Sequence, residues 1–369
     1  MRSVIASFFL LSFLSSSAAF AFPEMIRMGY PNCTSCHVSP SGGGLMTDYG
    51  RSIAAEALST WAYPKEELPG HGYLPEPPAW LKIGGDVRVI QTYIDNAQAT
   101  AKSFFLMQSD LELGFNFGRF WYVQDLGIQG GPERAPNRGE FVAHRYYALY
   151  NLNDESYVRA GKYLLPYGLN IPDHTSFIRR NLGFDQGQET YNLDIGMIGE
   201  VWNSILAISF GRKEDPVDLE KGASLQVGYN HGDTHKIMGS LAYLKKEDVS
   251  SRILLGPQII WGFNSKLVFL GEYDYQEKTL EGATKTVQKG AVTYSRLQYE
   301  VKKGVNPYLL HQLSYLDFTQ LRTRTNSVGA GVLWYPRPHL ELTTEVDYSE
   351  TAQINAYNTV GWILGHYYF

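Results

Sequence analysis

The chain has 369 residues, carries a formal net charge of −5, and combines 26 Tyr, 18 Phe and 36 Gly with only two Cys. A mildly acidic balance without a basic stripe excludes a nucleic-acid binder. The excess of Tyr, Phe and Gly favours strands over helices, and the length allows one large domain or two ordinary ones.

Residues 1–21 begin with a positive Arg2, continue with an apolar run from Val4 to Leu14, and end in Ala19-Phe20-Ala21. This is the pattern of a secretory signal peptide. The run is shorter than the roughly 20 residues a spanning helix needs. No cysteine follows it to take a lipid anchor, so the mature chain is expected to start at Phe22. The most apolar later stretch, Ile253–Phe263, is broken by Gly256 and Pro257 and does not read as a membrane helix.

Both cysteines fall in Cys33-Thr34-Ser35-Cys36-His37. A disulfide is the bland reading in an exported chain. A thioredoxin-like site needs a βαβ context, and a zinc site needs four N or S ligands; neither is visible around this stretch. C-x-x-C-H is the attachment signature of c-type haem. Cys33 and Cys36 are therefore read as tethers of one covalent haem c and His37 as its proximal iron ligand.

Gly42-Gly43-Gly44 follows as a turn. Thr47 is placed to cap a helix from Asp48 to about Trp61, with Ile53, Ala54 and Leu58 on one face. Pro64–Pro78 reads as an extended linker. Residues 22–78 thus form a small α-helical monohaem segment plus linker, in which the haem would staple a marginal core. Met25, Met28, Met46 and His71 are candidates for the sixth ligand. Met46 is preferred because it is close in sequence and lies next to the glycines; an open sixth position is the alternative.

From residue 79 to 369 the pattern is all-β with period two. Gln108, Asp110 and Glu112 alternate with Leu111, Leu113 and Phe115; Glu272 and Asp274 with Phe269, Tyr273 and Tyr275; Glu341, Glu345 and Asp347 with Leu342, Val346 and Tyr348. Many segments reach the 9–11 residues of a transmembrane strand. About sixteen such segments predict a transmembrane antiparallel β-barrel. Long connections at 130–139, 213–222 and 279–290 alternate with short ones at 152–156, 202–204, 263–265 and 336–338, as expected when one barrel end faces outward and the other carries tight turns. The chain ends in Tyr367-Tyr368-Phe369, which looks like a barrel-insertion signal, although Gly361 and Gly365 stand where larger apolar residues are usual.

The connection 166–190 is expected to fold into the pore. It holds Leu169, Ile171, Phe177, Ile178, Leu182 and Phe184, and apolar residues at that density need a wall to pack on. Its charges Asp173, His174, Arg179, Arg180 and Asp185 would then narrow the bore. The inward carboxylates Asp110, Glu112, Glu272, Asp274, Glu345 and Asp347 would draw in cations.

The exported C-x-x-C-H segment, the Tyr49-Gly50-Arg51 step and the barrel together resemble the fused cytochrome–porins, whose best-known members are outer-membrane iron oxidases. The resemblance implies a bacterial outer-membrane protein in contact with lipid. Its covalent haem, held by Cys33, Cys36 and His37, would pass single electrons between a small redox ion such as ferrous iron and a periplasmic electron carrier. The haem segment would sit on the periplasmic side or in the lumen. A substrate-specific porin with an accessory haem-bearing plug is the alternative.

Overall fold

The computed structural model describes residues 23–369 apart from 74, 134, 136–137, 215–216, 283 and 353–355; the expected leader at 1–21 lies outside them. Sixteen antiparallel strands follow one another around a closed barrel. The first eight are β1 Leu81–Asn96, β2 Thr100–Phe117, β3 Phe120–Gln129, β4 Tyr146–Asn151, β5 Ser156–Tyr163, β6 Thr190–Ile198, β7 Trp202–Ser209 and β8 Lys221–His231. The others are β9 His235–Lys246, β10 Ser250–Gly262, β11 Leu267–Leu280, β12 Thr286–Tyr299, β13 Val305–Tyr315, β14 Arg324–Arg337, β15 Leu340–Thr351 and β16 Ala356–Tyr368. β1 closes the cylinder on β16, with Asp86 opposite Tyr368 and Asn96 opposite Asn358. Closure removes both sheet edges.

The period-two pattern sorts side chains as expected. In β11, Val268, Leu270, Glu272, Asp274 and Gln276 point inward and are buried, whereas Tyr273 is exposed. The outer face is a broad apolar surface that includes Leu206, Ile208, Leu255, Leu309 and Ile363, each about half exposed or more. No helix among the described residues is long and apolar enough to cross a membrane. An outward apolar belt on a closed barrel is the signature of one that crosses with strands.

The expected alternation of connections holds only in part. The tight turns gather at the end that carries both barrel termini, for example 199–201, 232–234 and 338–339. Residues 202–204, expected to turn, are instead the start of β7, and the turn lies just before them. At the opposite end, the long loop expected at 279–290 shrinks to 281–285 because β11 and β12 stay paired out to Leu280 and Thr286. The polar residues there keep their ladder, since strand pairing does not require an apolar face above the membrane. Residues 164–189 form the longest connection.

That connection enters the lumen. Leu165, Leu169, Ile178, Leu182 and Phe184 are buried in one cluster with the inward side chains Ala207, Leu254, Leu270 and Val292. Each fully buried apolar side chain contributes about 1.5–3 kcal/mol. Polar anchors fix the register: Leu169 N–H donates to Glu272 at 2.7 Å, and Tyr167 Oη–H donates to Asp274 at 2.8 Å.

Residues 23–72 fill the opposite mouth. A 3-10 turn, Pro23–Met28, places Arg27 in an ion pair with Glu300 at 2.9 Å. Asn32 Nδ2 donates to the Gly199 carbonyl at 3.0 Å, and Lys236 Nζ donates to the Pro31 carbonyl at 2.9 Å. The expected helix forms over Asp48–Ile53, with Thr47 Oγ1 accepting from Gly50 N–H at 3.1 Å. It widens over Ala54–Leu58 and ends sooner than expected, because the Thr60 and Trp61 N–H groups leave it and donate to the barrel carbonyls of Tyr335 and Pro336 at 2.8 and 3.1 Å. Within the linker, Pro69–Gly72 forms a 3-10 turn.

Leu182→Asp is expected to leave barrel insertion intact and to detach the 164–189 loop, since an unpaired charge does not stay in an apolar cluster. Heat-modifiable electrophoretic mobility checks insertion, and new cleavage of the loop by added protease checks detachment. A loop that stays protected in the variant contradicts the packing described.

Candidate functional site

The two cysteines lie on a 3-10 turn, Cys33–Ser35, entered from an extended Asn32 with φ −116° and ψ 141°. Cys36 N–H and His37 N–H both donate to the Cys33 carbonyl, at 3.2 and 3.0 Å. Neither thiol is in a disulfide. The turn opens into a hairpin. Val38 N–H donates to Leu45 O at 3.0 Å, Thr47 N–H donates to Cys36 O at 2.8 Å, and His37 stands directly across from Met46.

The glycine run makes this hairpin possible. Gly42, Gly43 and Gly44 have φ of 81°, 74° and 69°. Three successive left-handed residues are accessible to glycine and strained for side chains. A Cβ on Gly44 would also sit 2.7 Å from the Arg145 guanidinium. The Gly44 carbonyl faces His37 Nδ1 at 3.1 Å. A carbonyl only accepts, so Nδ1 carries the proton and the ring lone pair is on Nε2.

Cys36 packs in an apolar cluster with Met25, Ile53 and Leu58, with Met28 against it. Cys33 lies against Gly42; burial pushes its thiol pKa up, and the Lys236 ammonium opposes that. His37 borders two cavities. One, of about 440 Å³, is walled by Thr34, Val38, Trp121, Leu149, Tyr157 and Ile198. The other, of about 220 Å³, lies deeper in the lumen and includes Met46, Arg145, Arg159, His174 and Arg179. Among the sixth-ligand candidates, the hairpin thus puts Met46 beside His37. His71 lies elsewhere, with its ring against His339 and Tyr367.

No family model and no curated protein matches the chain. Solved structures do, each over 78% of this chain. The anion-selective porin from Comamonas acidovorans has 12% identity, 99% coverage of its own chain and a TM-score of 0.61. OmpT of Vibrio cholerae has 12% identity, 97% coverage and a TM-score of 0.59. The outer membrane channel DcaP of Acinetobacter baumannii has 10% identity, 97% coverage and a TM-score of 0.59. The likeness is one of fold.

The chain is a closed sixteen-stranded β-barrel of porin-like architecture. The inward facing of the carboxylates expected from the sequence holds. Asp110, Glu112, Glu272, Asp274, Glu345 and Asp347 do point inward and are buried. Those with partners are engaged rather than open to passing cations. Glu112 pairs with Arg145 at 2.5 Å, and Glu345 accepts from Tyr308 at 2.6 Å. Glu272 and Asp274 hold the pore loop as described. On that loop, His174 faces Asp185 at 2.5 Å, Arg179 is buried and Arg180 is exposed.

Sequence reasoning missed the inward cations. Arg145 bridges Asp125 and Glu112 at 3.0 and 2.5 Å. Arg159, 1% exposed, pairs with Asp194 at 2.6 Å, stacks on the Tyr163 ring at 3.8 Å, and donates to Ser39 at 3.1 Å. The alternation within β5 carried the signal, because Arg159 shares its face with Tyr157. The porin-type wall thereby grips the cysteine hairpin, and Asn170 of the pore loop reaches the Ser41 carbonyl at 2.8 Å. Among the described residues, no group of three or more His, Cys, Asp or Glu side chains is arranged to hold a metal ion.

Arg159→Gln is expected to release the hairpin, because Asp194 is left buried without its partner, a loss of about 3–5 kcal/mol for such pairs. Proteolysis around residues 36–46 measures it. Adding Asp194→Asn should restore part of the protection; no difference between the single and double variants would contradict the pairing.

Asp173 in the pore loop gives a pH dependence. Burial, with Glu345 nearby, pushes its carboxyl up to about 6. A carboxyl whose folded pKa is above its unfolded value binds protons preferentially when docked, so docking strengthens as pH falls through about 6. Loop protection against a protease active over about pH 5–7 should rise on acidification, and Asp173→Asn should flatten the profile. An identical profile in the variant refutes the assignment.

Proposed function

We propose that this porin-type barrel carries one covalently attached haem c on the hairpin in its lumen. It would pass single electrons between a small redox ion entering from the loop end, such as ferrous iron, and an electron carrier in the periplasm. One observation carries the reading. The chain's two cysteines lie on one turn, and the adjacent His37, its Nδ1 facing the Gly44 carbonyl, borders a cavity of about 440 Å³. That volume is within the roughly 300–1,000 Å³ of small-molecule sites, and the donor set suits covalent haem.

Cys33 and Cys36 would hold the group through their sulfurs, His37 Nε2 would ligate its iron, and Met46 is the proposed source of a sixth ligand. When bound, the group supplies a one-electron couple whose potential depends on its axial ligands and surroundings. The chain's own residues do the rest. Gly44 orients His37 and makes it a better donor. Trp121, Leu149, Tyr157 and Ile198 give the cavity an apolar side, while Arg119, Asp154 and Glu155 border it at the turn end. The pore loop and hairpin restrict what reaches the site. A hydrocarbon core about 30 Å thick insulates, so a lumen that admits an ion shortens the distance an electron must travel.

A second reading is a substrate-specific porin in which the hairpin is a plug. The fold likeness favours it, because the similar structures are channels.

Purified protein is expected to give a reduced-minus-oxidised spectrum of c type and to stay closed in planar bilayers. Cys33→Ala/Cys36→Ala should lose covalent haem while the barrel still shows heat-modifiable mobility. Wild-type protein without haem but with open-channel conductance would replace the first reading with the second.

A further inference from the structure

At the turn end of the barrel, two histidines that are distant in sequence meet. His339 is in the two-residue turn between β14 and β15, and His71 is in the 3-10 turn of the linker. Their ring centroids are 5.7 Å apart with an interplanar angle of 76°. His339 is 2% exposed, and neither of its ring nitrogens has a hydrogen-bond partner. The backbone of Glu66 and Glu67 lies near the His339 ring without meeting hydrogen-bond geometry. His71 Nδ1 is also buried without a partner, whereas His71 Nε2 is 3.0 Å from the Tyr367 hydroxyl.

Buried polar atoms are nearly always satisfied, and an unsatisfied one calls for a water, an ion or a functional role. Two neighbouring imidazoles that meet edge to face, with three ring nitrogens unpartnered, place that demand in one small region. The wiring of His71 is that of a metal ligand. One nitrogen holds an outer partner, the Tyr367 oxygen, which orients the ring and leaves the other nitrogen for the ion. Two metal–nitrogen bonds of about 2.0–2.1 Å each, extended at both ends by the distance from nitrogen to ring centre, are compatible with the observed separation. Imidazole donors suit borderline transition ions such as Cu(II), Zn(II) and Ni(II) rather than Mg or Ca.

We infer that His71 and His339 form a site for a single borderline divalent transition-metal ion, completed by water and tying the linker to the barrel turn. Two protein donors make it an open site, distinct from closed structural sites with four. The inference is independent of the haem reading, since none of its residues belongs to the 33–46 hairpin.

The test uses the full chain in detergent, stripped with chelator and titrated with Cu(II) under electron paramagnetic resonance. The expected result is one equivalent bound with nitrogen hyperfine structure from two imidazoles. His71→Asn and His339→Asn should each weaken binding at least tenfold; Asn tolerates the left-handed backbone that both positions adopt, φ 56° and 65°. Tyr367→Phe should weaken it less. Bound Cu(II) should also slow proteolysis of the linker over 62–73 in the wild type and not in the variants. Absence of nitrogen-coordinated copper at one equivalent, the result if water fills the gap, overturns the proposal. So does equal affinity in wild type and both Asn variants. If His339→Asn fails to insert, His71→Asn decides alone, because the linker is outside the barrel ladder.

Discussion

A sixteen-stranded barrel is wider than its own inward side chains can fill. Every group on the inner wall must meet either water or another part of the chain, and this sequence answers with two different walls. One arc carries Ala207, Leu254, Leu270 and Val292, which do not suit an aqueous channel and are covered by the loop at 164–189. Another arc carries Arg145 and Arg159 with their carboxylates, and the cysteine hairpin seats there. The two insertions arrive from opposite ends and touch at Asn170 and Ser41. Apolar cover and charge pairing thus divide the lumen, and neither insertion alone would satisfy it.

This division engages several of the inner carboxylates with other parts of the chain. A carboxylate on a porin wall concentrates cations only while it is hydrated and unpaired. Glu112 is neutralised by Arg145, and Glu272 accepts from the Leu169 backbone. The deeper cavity is lined by both insertions and the wall together, with His174 and Arg179 from the loop, Met46 from the hairpin and Arg145 and Arg159 from the barrel.

Strand number and facing were legible because period-two alternation is a local signal that each segment carries by itself. The pore loop was legible too, because Leu169, Ile178, Leu182 and Phe184 are too apolar for an external loop. Turn placement was less so: Trp202-Asn203-Ser204 has the polarity of a turn but pairs as strand, and 281–285 is shorter than its polar flanks suggest. The C-x-x-C-H string was legible as chemistry, but its surroundings were not. Nothing near Ser39 in sequence announces Arg159, and nothing near His71 announces His339. Such contacts depend on barrel closure, which no short window of sequence encodes.

Strand pairing also orders the assembly. The hairpin and its leading turn are held by Arg159 and Asp194 on β5 and β6, Lys236 on β9, and Glu300 and Asn306 around the start of β13. No single β-hairpin presents these groups together; they share a wall only once the strands from β5 to β13 have paired in succession. Docking of residues 23–46 therefore follows the pairing of β5 to β13. The bonds that shape the cysteine turn itself are local: His37 to Cys33, Val38 to Leu45, Thr47 to Cys36, and the His37 ring to Gly44. None of those bonds involves the barrel wall. On the haem reading, attachment must come first, while the turn is formed and the thiols are accessible, because Cys36 is only 7% exposed once docked. A glycine-rich hairpin that folds on its own and a wall that grips it afterwards are what that sequence of events requires.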